Sequence, residues 1–367
     1  MATKASRPVY LEIPRDMVTA EIDVPAAVEH VEMAVDDDAV EEATREILGR
    51  LAAASRPVLI VGVEVHRFAL RGQVIALAER LNVPVASSFL GRGVFPIRHP
   101  NFIGTYLGVV SPPAMREIVE GSDCVLLLGE LVSDTSLGVS ADLLKKTNLL
   151  LAVARDVYIG HHRFQKTPLD RVIARLLESA ELPRKEMPAH KPSDQLSPEV
   201  LAPVPDDDPI KVTHVIAVLN EFLAARPDVP VVADTGDALF AAVDVRANEF
   251  IAPAYYATMG FAVPAALGAQ IASRRRPLVL VGDGAFQMTG LEICHAPQYG
   301  CSPVVVVFNN ARWEMLQAFS LTRRTTPRCR GRSRRLRSYG AAAGTTRRRR
   351  KNSVRRSGGP GTSARSR

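Results

Sequence analysis

Two short motifs carry side chains suited to holding a cation. Gly282-Asp283-Gly284 follows the apolar run Leu278–Val281, and Asn309-Asn310 closes the run Val304–Phe308. Alone, Gly-Asp-Gly is a weak signal and reads more simply as a common tight turn after a strand, because glycine serves turns readily. The pairing is more telling. Both motifs fall at C-terminal ends of predicted strands, the edge at which open parallel sheets bind ligands. From Gly282 to Asn310 is 29 residues, enough for one helix and one strand to return the chain alongside. Asp283 and Asn310 would then face one ion. A carboxylate and an amide oxygen are hard donors suited to Mg2+, which keeps positions open for a diphosphate. Other residues invite chemistry less strongly. The adjacent His161-His162 read more simply as surface or packing residues than as a catalytic pair. Gly62 hints at a dinucleotide turn, but no Gly-x-Gly-x-x-Gly follows it.

The elements that must position these residues alternate along the chain. Asp36-Asp37-Asp38 opens a helix, its acidic groups lying where free amides and the dipole favour them. Val40, Ala43, Ile47, Leu48 and Leu51 continue it at helical spacing. Strand runs at Pro57–Val63, Pro84–Ser88, Asp123–Gly129 and Asn148–Ala154 are separated by a helical stripe at Leu70, Val74, Leu77 and Leu81, and Leu169–Leu177 closes the unit. Short apolar strands between amphipathic helices predict a parallel sheet covered on both faces. Glu181–Pro209 holds seven prolines and reads as an extended linker. Asp208-Pro209 predicts a helix cap with proline in the first turn. Beyond it come a helical stripe from Val212 to Leu223, strand Val229–Ala233, helix Gly260–Ala272, strand Pro277–Val281, a helix near Gln287–Gln298 and strand Pro303–Phe308. Val9–Ile13 alternates like a strand that Pro14 stops.

Composition bounds the class. Of 367 residues, 47% are hydrophobic and 23% charged, as in a globular protein. No apolar run reaches the ~18–20 residues of a membrane helix, and no signal peptide opens the chain, so a cytoplasmic location is expected. Four scattered cysteines make neither a disulfide framework nor a Cys-x-x-Cys zinc site. The net charge of +7 misleads, because Ser320–Arg367 carries 17 Lys and Arg and no acidic residue. The remainder holds 29 basic against 39 acidic residues. That basic stretch lacks periodicity and large apolar groups, which predicts disorder. It would bind nucleic acid or another polyanion only non-specifically. A GC-rich reading frame translated out of register would give the same composition.

The motif pair resembles the signature of thiamine diphosphate enzymes, in which Gly-Asp-Gly is followed about thirty residues later by Asn-Asn. The resemblance implies thiamine diphosphate and Mg2+ as cofactors, with Asp283, Asn310 and the Arg312 carbonyl as metal ligands. It also implies that Asp234, Thr235, Gly236 and Asp237 lie beside the diphosphate, as do Gly282, Gly284 and Ala285. Ala257 and Met259 fall in a segment similar to the one that wedges a bulky side chain between the cofactor rings; by itself, Met259 reads as core packing. Arg312 and Trp313 are implied cofactor-binding residues as well, and Asn309 to Leu316 most resembles bacterial phenylpyruvate and indolepyruvate decarboxylases. Leu316 stands where pyruvate decarboxylases carry a glutamate, which implies a larger aromatic pocket.

The resemblance covers about Arg7–Phe319. It divides the chain into the end of a pyrimidine-binding domain with a linker (1–35), a central α/β domain (36–180), a linker (181–209), a partial diphosphate-binding domain (210–319) and the tail (320–367). The expected fold is therefore two doubly wound parallel-sheet domains, the second incomplete. The expected activity is decarboxylation of an aromatic 2-oxo acid to an aldehyde and CO2, in a homo-oligomer. Acetolactate-synthase-like and benzoylformate-decarboxylase-like relatives share the general motifs. The family's activating glutamate belongs to the pyrimidine-binding domain, so this chain alone is expected to be inactive. The alternative class is a non-catalytic fragment with a polyanion-binding tail.

Overall fold

A computed structural model describes residues 10–23, 34–133, 148–186 and 210–311. All lie within one compact unit, Met1–Arg328. The first helix, α1 (Asp37–Ala53), begins where the acidic run predicts: the Asp36 carboxylate accepts the Ala39 N–H at 3.0 Å. Val40, Ala43, Ile47, Leu48 and Leu51 form its buried face. The chain then runs through β1 (Pro57–Val61), α2 (Val63–Arg67), α3 (Arg71–Leu81), β2 (Val85–Ser87), β3 (Phe102–Thr105), α4 (Pro113–Glu120), β4 (Cys124–Leu128), β5 (Leu149–Ala152), β6 (Asp156–Ile159), β7 (His162–Gln165) and α5 (Leu169–Glu178). These strands make one sheet in the order β3-β2-β1-β4-β5-β6-β7.

The first five strands of this sheet are parallel, as expected, and β1 and β4 are buried at every position. The last two are antiparallel. This hairpin departs from the parallel expectation for a local reason. Gly160, at a φ of +59°, turns the chain, and β6 buries only alternate residues, the pattern of a strand with one wet face. His161 and His162 sit at the hairpin and are exposed; His162 Nδ1 lies 3.0 Å from the Glu46 carboxylate. Gly62 has a packing explanation. A Cβ there would lie 2.3 Å from the Gly129 carbonyl and 2.4 Å from the Glu130 Cα, so the ends of β1 and β4 approach this closely only because this residue is glycine.

The second sheet follows α6 (Val212–Ala224). It comprises β8 (Val231–Ala233), α7 (Asp237–Ala241), β9 (Phe250–Ile251), α8 (Ala262–Ser273), β10 (Leu278–Gly282), α9 (Asp283–Thr289) and β11 (Val304–Phe308). Its strands are all parallel, in the order β11-β10-β8-β9. The loop Ser88–Phe95 of the first sheet reaches across to it. Phe89 joins the second core and stacks on Phe240, their ring centroids 6.1 Å apart.

Two expectations need correction here. Tyr10–Ile13 is not a strand; a short 3-10 turn follows at Arg15–Met17, and Tyr10, Leu11 and Ile13 are exposed. Alternation alone cannot make a strand without a neighbour to bond, and no described strand pairs with this segment. The helix expected near Gln287–Gln298 instead begins at Asp283 and gives way to 3-10 turns at Gly290–His295 and Pro297–Tyr299. Gly290 packs its bare Cα against the Phe286 ring, which loosens the helix there, and Pro297 cannot continue it. Helix α6 is capped at Lys211; Asp208 and Pro209 lie outside the described residues.

Candidate functional site

Parallel pairing brings the two motifs together. In β10 and β11, Gly282 is in register with Phe308, so Asp283 and Asn309-Asn310 leave neighbouring strands at the same sheet edge. Asp283 starts α9 directly, and its Oδ1 accepts the Gly284 N–H at 2.9 Å. Gly282, extended at φ −72° and ψ 156°, is the residue before that helix rather than part of a tight turn. A Cβ on Gly282 would meet nothing within 4 Å, so the space over this strand end is open.

The third strand end at this edge is β8, followed by Asp234-Thr235-Gly236-Asp237. Gly236 sits at a φ of +80°, where glycine is favoured, and lets the chain turn into α7. Asp237, the first residue of α7, is exposed, and its Oδ2 accepts the Asn310 side-chain N–H at 3.0 Å. The two expected loops are thus joined by a side-chain hydrogen bond.

Asp234 does different work from its neighbours. Fully buried, its Oδ1 accepts the N–H groups of Thr235 (2.9 Å) and Gly260 (3.0 Å), and its Oδ2 accepts that of Ala262 (2.7 Å). Burial pushes its carboxyl above the ordinary range, opposed by the amides of Ala262, Gly260 and Thr235. Its carboxylate serves the start of α8 and the Ala257–Gly260 segment. Gly260 is at φ +84°, and a Cβ there would lie 2.9 Å from the Thr289 methyl, so both backbone and space call for glycine. Thr289 Oγ1 donates to the Gly260 carbonyl at 2.6 Å. Met259 packs, partly buried, against the cluster containing Val232, Ala262, Val279 and Ala285. Ala257 holds a φ of +55°. Ala285 is buried in that same cluster. Arg312, Trp313 and Leu316 lie outside the described residues.

The donor set can be tested against a diphosphate-bound cation. Among the described residues, no three His, Cys, Asp or Glu side chains gather as a metal cluster. What does gather at this edge is a carboxylate and an amide oxygen beside open space. These fit a hard cation that takes its remaining oxygens from elsewhere, such as phosphate. Sequence reasoning missed one residue joined to this machinery, Arg92. Its guanidinium is buried, donates to the carbonyls of Ala242 and Val245, and lies 4.2 Å from the Phe250 ring centroid. Burial pushes it down to about 9, with Asp244 pulling upward; an arginine stays charged near neutral pH regardless.

Comparison with known proteins bears on the same segments. Residues 44–169 match the central domain of thiamine pyrophosphate enzymes, and 234–337 match their C-terminal thiamine pyrophosphate-binding domain. The second match continues past residue 319, where composition alone puts the end of the domain. The chain is 40% identical over 324 residues to the indole-3-pyruvate decarboxylase of Azospirillum brasilense, covering 87% of this chain and 58% of that protein. It is 28% identical over 323 residues to the pyruvate decarboxylase of Kluyveromyces lactis (83% and 56%). Against pyruvate decarboxylase 1 of Oryza sativa subsp. indica it is 28% identical over 288 residues (73% and 44%). The chain therefore spans about half the length of the curated relatives it matches. With both domain matches falling on the two sheets, and the C-terminal match on the strand ends that carry Asp234, Asp283 and Asn310, the chain belongs to the thiamine pyrophosphate enzymes.

Proposed function

We propose that this chain serves a thiamine diphosphate- and Mg2+-dependent, non-oxidative decarboxylation of an aromatic 2-oxo acid, phenylpyruvate or indolepyruvate, to an aldehyde and CO2. The observation that supports the reading is that Asp283 and Asn310 leave the same ends of two paired strands, with Asp237 bonded to Asn310. Asp283 and Asn310 would hold the cation, with the Arg312 carbonyl beside them. Thr235, Gly236, Asp237, Gly284 and Ala285 would line the diphosphate. Asp234 would shape the pocket from behind by fixing the amides of Gly260 and Ala262. Ala257 and Met259 would face the rings, Met259 braced by the core behind it. When bound, thiamine diphosphate supplies the electron sink that decarboxylation needs.

The aromatic preference rests on Leu316 and Trp313, and on the name of the Azospirillum relative. A homo-oligomer belongs to the same proposal. Exposed Tyr256 (85%) and Leu291 (77%) support it, and gel filtration tests it. The activity test supplies thiamine diphosphate and Mg2+ and compares indolepyruvate, phenylpyruvate and pyruvate. A pyrimidine-binding domain is added in trans where the chain alone gives no turnover. Aldehyde from the aromatic acids in preference to pyruvate is the expected result. Equal or greater turnover of pyruvate would remove the aromatic assignment.

A further inference from the structure

Arg92 is a buried cation on a loop of the first sheet, yet its hydrogen bonds go to the second. Burying a guanidinium is costly, and an apolar side chain could fill the place against Phe250 without that cost. What an apolar side chain could not do is hold two carbonyls. Those carbonyls, Ala242 and Val245, belong to the turn that ends the helical run from Asp237 through Asp244. From the other side Asn220 grips the same turn, donating to the Asp244 carbonyl at 2.9 Å and accepting the Arg246 N–H at 2.6 Å. The two grips fix where the helical run ends. Its first residue is Asp237, and Asp237 accepts from Asn310.

That bond has a chemical consequence. A carboxylate only accepts, so it must face the NH2 of the Asn310 amide and never its oxygen. With the NH2 facing Asp237, Asn310 Oδ1 is turned away from it, the orientation that a cation ligand needs. Partners outside the ligand shell that orient ligands in this way govern metal affinity strongly.

We propose that Arg92 is a positioning residue for the cation site. By anchoring the far end of the Asp237–Asp244 helical run, it holds Asp237 where that carboxylate fixes the orientation of the Asn310 amide. The inference rests on the proposed role of Asn310 as a ligand, and the test separates the two. Selective 15N-asparagine labelling of the full chain gives the Asn310 side-chain amide signal, identified by its loss in Asn310→Asp. Without any cofactor, Asp237→Ala is expected to move that signal. Arg92→Met is expected to move it in the same direction, and Arg92→Lys to do so by less.

With thiamine diphosphate added, calorimetry gives the Mg2+ concentration that half-saturates binding. Arg92→Met is expected to raise this concentration about tenfold, the scale at which such outer partners act. In an Asp237→Ala background, Arg92→Met should add little, because both act through one bond. An Arg92 that merely joins the two sheets would lower the melting temperature and leave both the Asn310 signal and the Mg2+ dependence as in the wild type. That result overturns the proposal, as does full additivity of the two substitutions. Should Arg92→Met fail to fold, Arg92→Lys carries the same comparison. If the wild-type chain takes up no thiamine diphosphate, the functional reading falls, while the cofactor-free amide signal still decides whether Arg92 positions Asn310.

Discussion

Replacing Asp234 separates a structural carboxylate from a ligand-binding one. Its two oxygens serve three backbone N–H groups, those of Thr235, Gly260 and Ala262, with no exposed surface. Asp234→Asn keeps one oxygen. In its better orientation that oxygen retains Thr235 and Gly260 and presents an NH2 to the Ala262 N–H, 2.7 Å away in the parent. One charge-assisted bond is lost, worth about 1.5–3 kcal/mol. Asp234→Ala strands all three amides. Removing the cost of burying the charge offsets part of that loss, giving an expected penalty of about 3–4 kcal/mol. Because the chain has two cores, a global midpoint would blend their transitions. Hydrogen exchange of a peptide covering Ala262–Ser273 reads the affected helix alone. Exchange in Asp234→Asn should accelerate about 10- to 150-fold, since each 1.4 kcal/mol is tenfold, and Asp234→Ala should exceed it. An acceleration below about twofold in both, or an alanine variant no worse than the asparagine one, would refute the bond-counting argument.

Further expectations follow from the first sheet. Gly62→Ala should cost about 3 kcal/mol, because its Cβ would lie 2.3 Å from a carbonyl that β4 cannot easily move; unchanged hydrogen exchange of a peptide covering Pro57–Val61 would show that β1 and β4 can part there. Burial pushes the Cys124 thiol up to about 11, Asp123 adding to the rise and Arg50 and Lys185 opposing it. An unfolded thiol ionises near 9, so from there to about 11 the folded chain keeps a proton that the unfolded chain has lost. Stability from this group is therefore complete below pH 9 and lost as pH rises through that window. Cys124→Ala should flatten the alkaline fall of stability in urea titrations; an identical slope would contradict it. In thiol labelling of the folded chain, exposed Cys294 should react well before buried Cys124 and Cys301.

Much of this architecture was legible residue by residue. The Asp36 cap, the buried runs of β1, β4, β8 and β10, and the placement of Asp283 and Asn310 at strand ends all follow from local pattern and parallel topology. What escaped was non-local. The run Tyr10–Ile13 alternates correctly but has no described neighbour, and pairing, not alternation, makes a strand. β3 hides behind Gly104, which weakens strand pattern, and the β6–β7 hairpin is announced only by Gly160. Asp234 and Asp237 look alike in sequence, three residues apart. Depth separates them: one is enclosed by amides, while the other is exposed and bonded to Asn310. Arg92 lies between two glycines in a loop, where a basic residue ordinarily reads as solvated; only the approach of the second sheet gives it carbonyls to hold.

The most direct test of the account is calorimetric titration of thiamine diphosphate into the full chain, with Mg2+ and with the metal chelated. Saturable binding that needs Mg2+ and weakens at least about tenfold in Asp283→Ala is predicted. Binding that is indifferent to Mg2+ and undiminished in Asp283→Ala, or no binding to the folded wild-type chain, would contradict it.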